Sequence, residues 1–262
     1  MKQPLAYIHP AAKIAPSVVI DPFVTIEQNV EIGEGTRIGS NVTIMEGARI
    51  GKNCTIFPGA VIGAIPQDLK FKGEDTLAII GDNTTIREHV IINRGIDGEG
   101  GTTVGADCFI FGDAHIGHDS HIADKCVVGN STNVAGGVTM DTGSILSSSV
   151  VLHENCKIGK YVLIKGGTRI SSNVPPFTIM AHNPVTYYGV NAYVMRKHAG
   201  FSDKDIDDVA KAYRHIYQCS TSVFNALRRI ETDIDDTPAR ADILSFVRDN
   251  DLKIAGDRSD MD

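Results

Sequence analysis

Aliphatic residues recur every six positions along the first two thirds of the chain. Stepping by six from Ile8 reaches Ile14, Ile20, Ile26, Ile32, Ile38, Ile44, Ile50, Ile56 and Ile62. The same register returns at Ile80, Ile86 and Ile92, then runs from Val104 to Ile170. Of the 28 positions on this step, 25 are aliphatic; the exceptions are Asp68, Glu74 and Gly98. Helices repeat at about 3.6 residues and strands at 2, so neither produces a period of six.

Four places after each aliphatic residue stands a small or β-branched one, such as Val24, Thr36, Ala48, Cys54, Ala114, Ser120, Cys126 and Val138. Such residues suit a tight corner between short strands. Glycine often follows the aliphatic position, as at Gly33, Gly39, Gly51 and Gly159, where the pattern predicts a sharp turn of the backbone. The pattern predicts a parallel β-helix of triangular section, with three hexapeptides per coil and coils stacked about 4.8 Å apart. Cys54, Cys108, Cys126 and Cys156 occupy the small slot, which makes them packing residues, not redox or metal groups.

Two excursions leave this register, over residues 64–78 and 95–102, and both return to it. Polar, Gly-rich loops on a rigid scaffold are where function concentrates. The repeat ends after Val174-Pro175-Pro176. Beyond it the period becomes helical. Ser202 is a predicted N-cap, with Ile206, Val209, Ala210, Tyr213, Ile216 and Tyr217 on one face. Val223, Leu227 and Ile230 predict a second helix, and Ile243, Leu244 and Val247 a third, before a frayed end of about ten residues. The expected organisation is therefore an all-β solenoid over 1–190 and an α-helical domain over 191–262.

Composition agrees with the solenoid. Aromatic residues are only 6% and tryptophan is absent, as a column of aliphatic side chains requires. A net charge of −7 argues against a general nucleic-acid binder. No apolar run approaches the ~20 residues of a membrane span, and no apolar stretch opens the chain, so a cytoplasmic address is expected.

The richest outward cluster is Asp113 to His121, which holds His115, His118 and His121. An 18-residue coil places Gly136 one coil above His118 and Glu154 one coil above that. A base beside an open backbone amide is the minimum for acyl transfer to a hydroxyl. Asp119 can orient the imidazole, although a solvated corner residue reads equally well. No GxSxG elbow, P-loop or GxGxxG offers a competing chemistry. The spacing of three spreads the histidines over different faces of a coil, so one chain does not readily converge them on a metal; zinc held between subunits stays open as a separate reading.

Ala114-His115-Ile116-Gly117-His118-Asp119, the loop Gln67-Asp68-Leu69-Lys70, Val174-Pro175-Pro176, Gly189-Val190-Asn191 and Gly200-Phe201-Ser202 together resemble the acyl-[acyl-carrier-protein]–UDP-N-acetylglucosamine O-acyltransferases. These enzymes open lipid A biosynthesis, and the likeness spans nearly the whole chain. The resemblance implies a left-handed coil and a homotrimer with active sites in the grooves between neighbours. It implies no cofactor and no acyl-enzyme. His118 is the implied general base, Asp119 its support and the Gly136 amide the oxyanion donor. Asp68 and His115 are implied contacts to the acyl or sugar groups, Ser131 an implied substrate contact, and His153, Glu154 and Asn191 contacts to the nucleotide sugar. Gly166 falls where the family sets acyl length. Arg196 and Lys197, with His198, Lys211 and Arg214, form a basic patch on an acidic chain, the implied dock for acyl carrier protein.

The chain departs from the family at Gly137, Glu154 and Tyr193, where His, Gln and Glu are usual, and at Asn93, where His precedes Arg-Gly. Glu154 adds negative charge beside a phosphate-bearing substrate. Two alternatives follow: an N-acyltransferase acting on a 3-amino UDP-sugar, and a non-catalytic hexapeptide scaffold. The preferred acyl length is not readable from one glycine.

Overall fold

A computed structural model describes residues 4–96, 100–219, 221–251 and 253–256. Gly98, the third break in the repeat, and the last residues of the expected frayed end lie outside them. The chain folds as a left-handed parallel β-helix followed by helices. Short strands, mostly of two residues, pair in parallel with strands one coil away, as Tyr7 pairs with Thr25 and His115 with Asn133. Three sheets result, of nine, eight and ten strands. We call them the first, second and third faces; in the central coils Phe109–Ile110 is on the third, His115–Ile116 on the first and His121–Ile122 on the second.

The aliphatic step points inward. Ile26, Ile44, Ile62, Ile92, Ile116, Val134 and Ile164 are fully buried in one continuous core. Burying each such side chain stabilises the fold by about 1.5–3 kcal/mol. The small slot is equally closed: Cys54, Ala60, Cys126 and Val138 have no exposure. Burial pushes the Cys156 thiol up to about 11, and such a thiol is a packing group.

The glycines that follow the aliphatic residues serve a purpose other than the expected turn. Gly33 and Gly159 do not have positive φ. A Cβ on Gly33 would lie 2.7 Å from the Gly51 carbonyl carbon, and one on Gly159 would lie 2.6 Å from Pro176 N. Stacked coils therefore require these glycines for close approach. The left-handed conformation falls two residues further on, often at Asn, Asp or Gly, as at Asn29, Gly35, Asn41, Asn53, Asp113 and Asp119, whose short polar side chains or missing Cβ tolerate it, but also at Phe23, His89, Lys125 and Tyr161.

The third face continues past the repeat. Thr178–Ala181 adds one more parallel strand and turns into an antiparallel partner, Thr186–Val190. Among the described residues four helices follow: α1 (Ala192–His198), α2 (Asp203–Tyr217), α3 (Val223–Asp233) and α4 (Pro238–Asp249). The short α1 is an element that the sequence pattern did not predict. Ser202 caps α2 through a capping box, with Asp205 N donating to Ser202 Oγ and Ser202 N to Asp205 Oδ2. The buried face of α2 uses Ala212 where Ala210 was expected, and Ala210 is only half-buried. Tyr213 Oη donates to Pro176 O, and Lys160 pairs with Asp242 at 2.7 Å. These contacts tie the helices to the last coil.

Candidate active site

The corner between the first and second faces carries both excursions and the histidine cluster. Residues 65–77 leave from Val61–Ala64 on the first face and rejoin at Ala78–Ile80 on the second. The next excursion, one coil above, leaves from Ile91–Asn93 and rejoins at Thr102–Val104. His118 occupies the same corner one coil higher again. The two loops are bound to each other: Thr76 Oγ1 donates to Gly95 O at 2.6 Å, and Gly95 N and Thr102 N both donate to Leu77 O. Arg94 secures the longer loop, with Nη1 donating to Glu46 O and its guanidinium 5.3 Å over the Phe71 ring.

His118 is held between two carboxylates. Its Nδ1 lies 2.8 Å from Asp119 Oδ2, and its Nε2 lies 3.7 Å from Asp68 Oδ2. An ionised carboxylate only accepts hydrogen bonds, so Nδ1 carries a proton toward Asp119, and in the neutral ring Nε2 then presents its lone pair. Asp119 is itself fixed, because Ile96 N donates to both its oxygens at 3.1 and 3.2 Å. Gly95 makes room for it: a Cβ there would lie 2.6 Å from Asp119 Oδ1. Asp68 turns its other oxygen to Lys70 N at 2.7 Å, leaving Oδ2 toward His118.

Gly136 stacks directly on the His118 ring. A Cβ at Gly136 would lie 2.4 Å from Cε1 and 2.5 Å from Nε2. The coil register that brings them together is visible in the backbone, where Gly137 N donates to His118 O at 2.9 Å. His115 projects from the adjoining strand, and its Nε2 lies 2.6 Å from Asn93 Oδ1. Burial, with a smaller contribution from His118, holds the His115 imidazole below the usual histidine range. His121 lies on the second face instead, bonded to Thr103. Among the described residues, no group of three or more His, Cys, Asp or Glu is placed to hold a metal ion.

The structure thus gathers His118, Asp119, Gly136, Asp68 and His115. His153 and Glu154 are exposed on the same corner, one coil beyond Gly136. Ser131 and Gly166 lie across the first face, on its corner with the third. At Gly166 an added Cβ would lie 3.1 Å from Ser148 O, closer than ordinary contact, and 4.0 Å from Ser147 Cβ. Asn191 is buried at the start of α1, its amide donating to Tyr161 O at 2.8 Å. Arg196 pairs with Asp203 at 2.6 Å, and Lys197 is exposed beside it. A single chain does not bring these last three residues to His118. Sequence reasoning marked Asn93 only as a departure from the family pattern and assigned no role to Gly95 or the Ile96 amide. The available signal was a polar residue directly after core Ile92, where the chain leaves the coil.

Comparison with known proteins places the site in a family. A relative from Xylella fastidiosa, named acyl-[acyl-carrier-protein]–UDP-N-acetylglucosamine O-acyltransferase, is 39% identical over 187 residues, 71% of each chain. One from Aliarcobacter butzleri with the same name is 36% identical over 186 residues, again 71% of each. The chain belongs to this acyltransferase family. The family model described as UDP N-acetylglucosamine O-acyltransferase, domain 2, matches residues 173–255. A model of the GMPPB C-terminal domain matches residues 2–97. The crystal structure of a UDP-N-acetylglucosamine acyltransferase from Bacteroides fragilis superposes with a TM-score of 0.93 at 46% identity, covering 98% of this chain and 99% of that one. The enzyme from Francisella novicida gives 0.93 at 33% identity, over 99% and 95%. The match of the acyltransferase fold therefore includes the helices as well as the coil.

Proposed function

We propose that this chain transfers a 3-hydroxyacyl group from acyl carrier protein to the 3-hydroxyl of UDP-N-acetylglucosamine, the first step of lipid A biosynthesis. The carrying observation is the His118 ring, locked by Asp119 at Nδ1 and with its Cε1–Nε2 edge pressed against Gly136. Nε2 takes the hydroxyl proton as the oxygen attacks the thioester carbonyl carbon. The Gly136 N–H donates to the oxyanion of the tetrahedral intermediate. The C–S bond then breaks, and the imidazolium returns the proton to the leaving thiol. Asp119 stabilises the imidazolium between these steps. No side chain of this site needs to carry the acyl group.

Asp68 Oδ2, on the Nε2 side of the ring, offers an incoming hydroxyl a second acceptor. Ser131 and Gly166 on one edge of the first face, with His153 and Glu154 on the other, outline a long acceptor and acyl track. A homotrimer would close that face. Asn191 would help hold α1 in place, so that Arg196 and Lys197 receive the acidic carrier protein. Steady-state transfer with a panel of 3-hydroxyacyl carrier proteins tests the reading, using UDP-N-acetylglucosamine and its 3-amino analogue as acceptors. Ester formation supports it. Exclusive amide formation replaces the acceptor, and no transfer to either leaves a binding scaffold.

A further inference from the structure

Asn93 has no exposure, an unusual place for an amide unless every polar atom is satisfied. It stands at the root of the 65–77 loop. Its Nδ2 donates to Ile65 O at 2.8 Å and reaches Ala64 O at 3.4 Å. Carbonyl oxygens only accept, so they settle which end of the amide is which. Oδ1 therefore faces His115 Nε2, at 2.6 Å, and the hydrogen in that contact belongs to His115.

We infer that Asn93 is a positioning residue that holds His115 in its Nε2–H tautomer, so that Nδ1 is presented as an acceptor for a substrate hydroxyl. The tautomer follows from the geometry alone, whereas the hydroxyl rests on the acyl-transfer reading proposed above. Burial keeps the ring neutral, which preserves the Nδ1 lone pair. The two histidines are then locked in opposite senses. Asp119 fixes His118 with Nδ1 protonated and Nε2 bare, while Asn93 fixes His115 with Nε2 protonated and Nδ1 bare. One bare nitrogen takes a proton, and the other accepts a hydrogen bond from a hydroxyl that keeps its own. That hydroxyl belongs to the sugar or to the acyl chain.

The direct test is 15N NMR of histidine-labelled protein near pH 7.5, with His115 assigned through His115→Gln. The expected result is a neutral ring protonated at Nε2. An Nδ1–H ring overturns the inference, and this readout needs no variant at Asn93. Kinetics then locates the hydroxyl. If it is on the acyl chain, Asn93→Ala lowers the preference for 3-hydroxyacyl over unsubstituted chains of equal length roughly tenfold. If it is on the sugar, the same variant raises the KM of UDP-N-acetylglucosamine by a similar factor. In either case the double variant Asn93→Ala/His115→Gln is no worse than His115→Gln alone, because Asn93 acts through that ring. Strictly additive losses overturn the inference. Failure of the wild type to transfer any acyl group refutes the reaction class and leaves NMR to decide the tautomer.

Discussion

Replacing Gly136 with alanine perturbs the base while leaving the His118 side chain itself unchanged. The added Cβ would sit 2.4 Å from His118 Cε1 and 2.5 Å from Nε2, whereas ordinary contact is 3.4–4 Å. One of the two must yield by about 1 Å. Gly136 belongs to a stacked backbone, its carbonyl accepting from Asn155 N at 3.0 Å. The ring rotates more easily, and rotation pulls Nδ1 from Asp119 and moves Nε2 off line. A misplacement of that size costs about 10²-fold in rate. The expected result for Gly136→Ala is therefore a kcat lowered about 100-fold at nearly unchanged thermal stability. Gly33→Ala supplies the contrast, since its Cβ would lie 2.7 Å from the Gly51 carbonyl carbon, coils away from His118, and lower Tm instead. Transfer rates and thermal melts on both proteins separate the two effects. A Gly136→Ala protein with wild-type kcat would refute the placement of the base.

Asp119→Asn keeps the shape but lets an amide N–H face His118 Nδ1; kcat is expected to fall 10²-fold or more, about the contribution of general-base catalysis, measured at saturating substrates. His115 titrates low in the fold, so between its folded pKa and about 6.5 the unfolded chain binds a proton that the folded chain does not. Stability should decline as pH falls through that window, and denaturant titrations should show a shallower decline for His115→Gln. Lys197 is exposed beside the Arg196–Asp203 pair, so Lys197→Glu should raise the KM of the acyl carrier protein several-fold with little change in kcat.

The coil was legible because its period is unlike that of any other element and because each aliphatic step lands in one core. The same arithmetic set His118 beneath Gly136, since stacking in register converts a sequence offset of 18 into contact. What the repeat could not convey was anything carried by the excursions. Asp68 reaches His118 and Ile96 N reaches Asp119 only because two loops fold back on each other through Thr76, Gly95 and Leu77, contacts that no periodicity encodes. The glycines after the aliphatic residues were located correctly but explained wrongly. Their cause is the coil above, which a linear reading does not contain. The cap and apolar face marked α2, and apolar faces alone marked α3 and α4, whereas α1, at seven residues, is too short to show a period.

The central claim is that His118 is the base for acyl transfer to a sugar hydroxyl. The most direct measurement is the rate of transfer from a 3-hydroxyacyl carrier protein to UDP-N-acetylglucosamine by the wild type and by His118→Ala. The expected result is robust ester formation by the wild type and a loss of 10²-fold or more in the variant, with its fold and carrier binding retained. Comparable rates from both proteins, or no ester from the wild type, would contradict it.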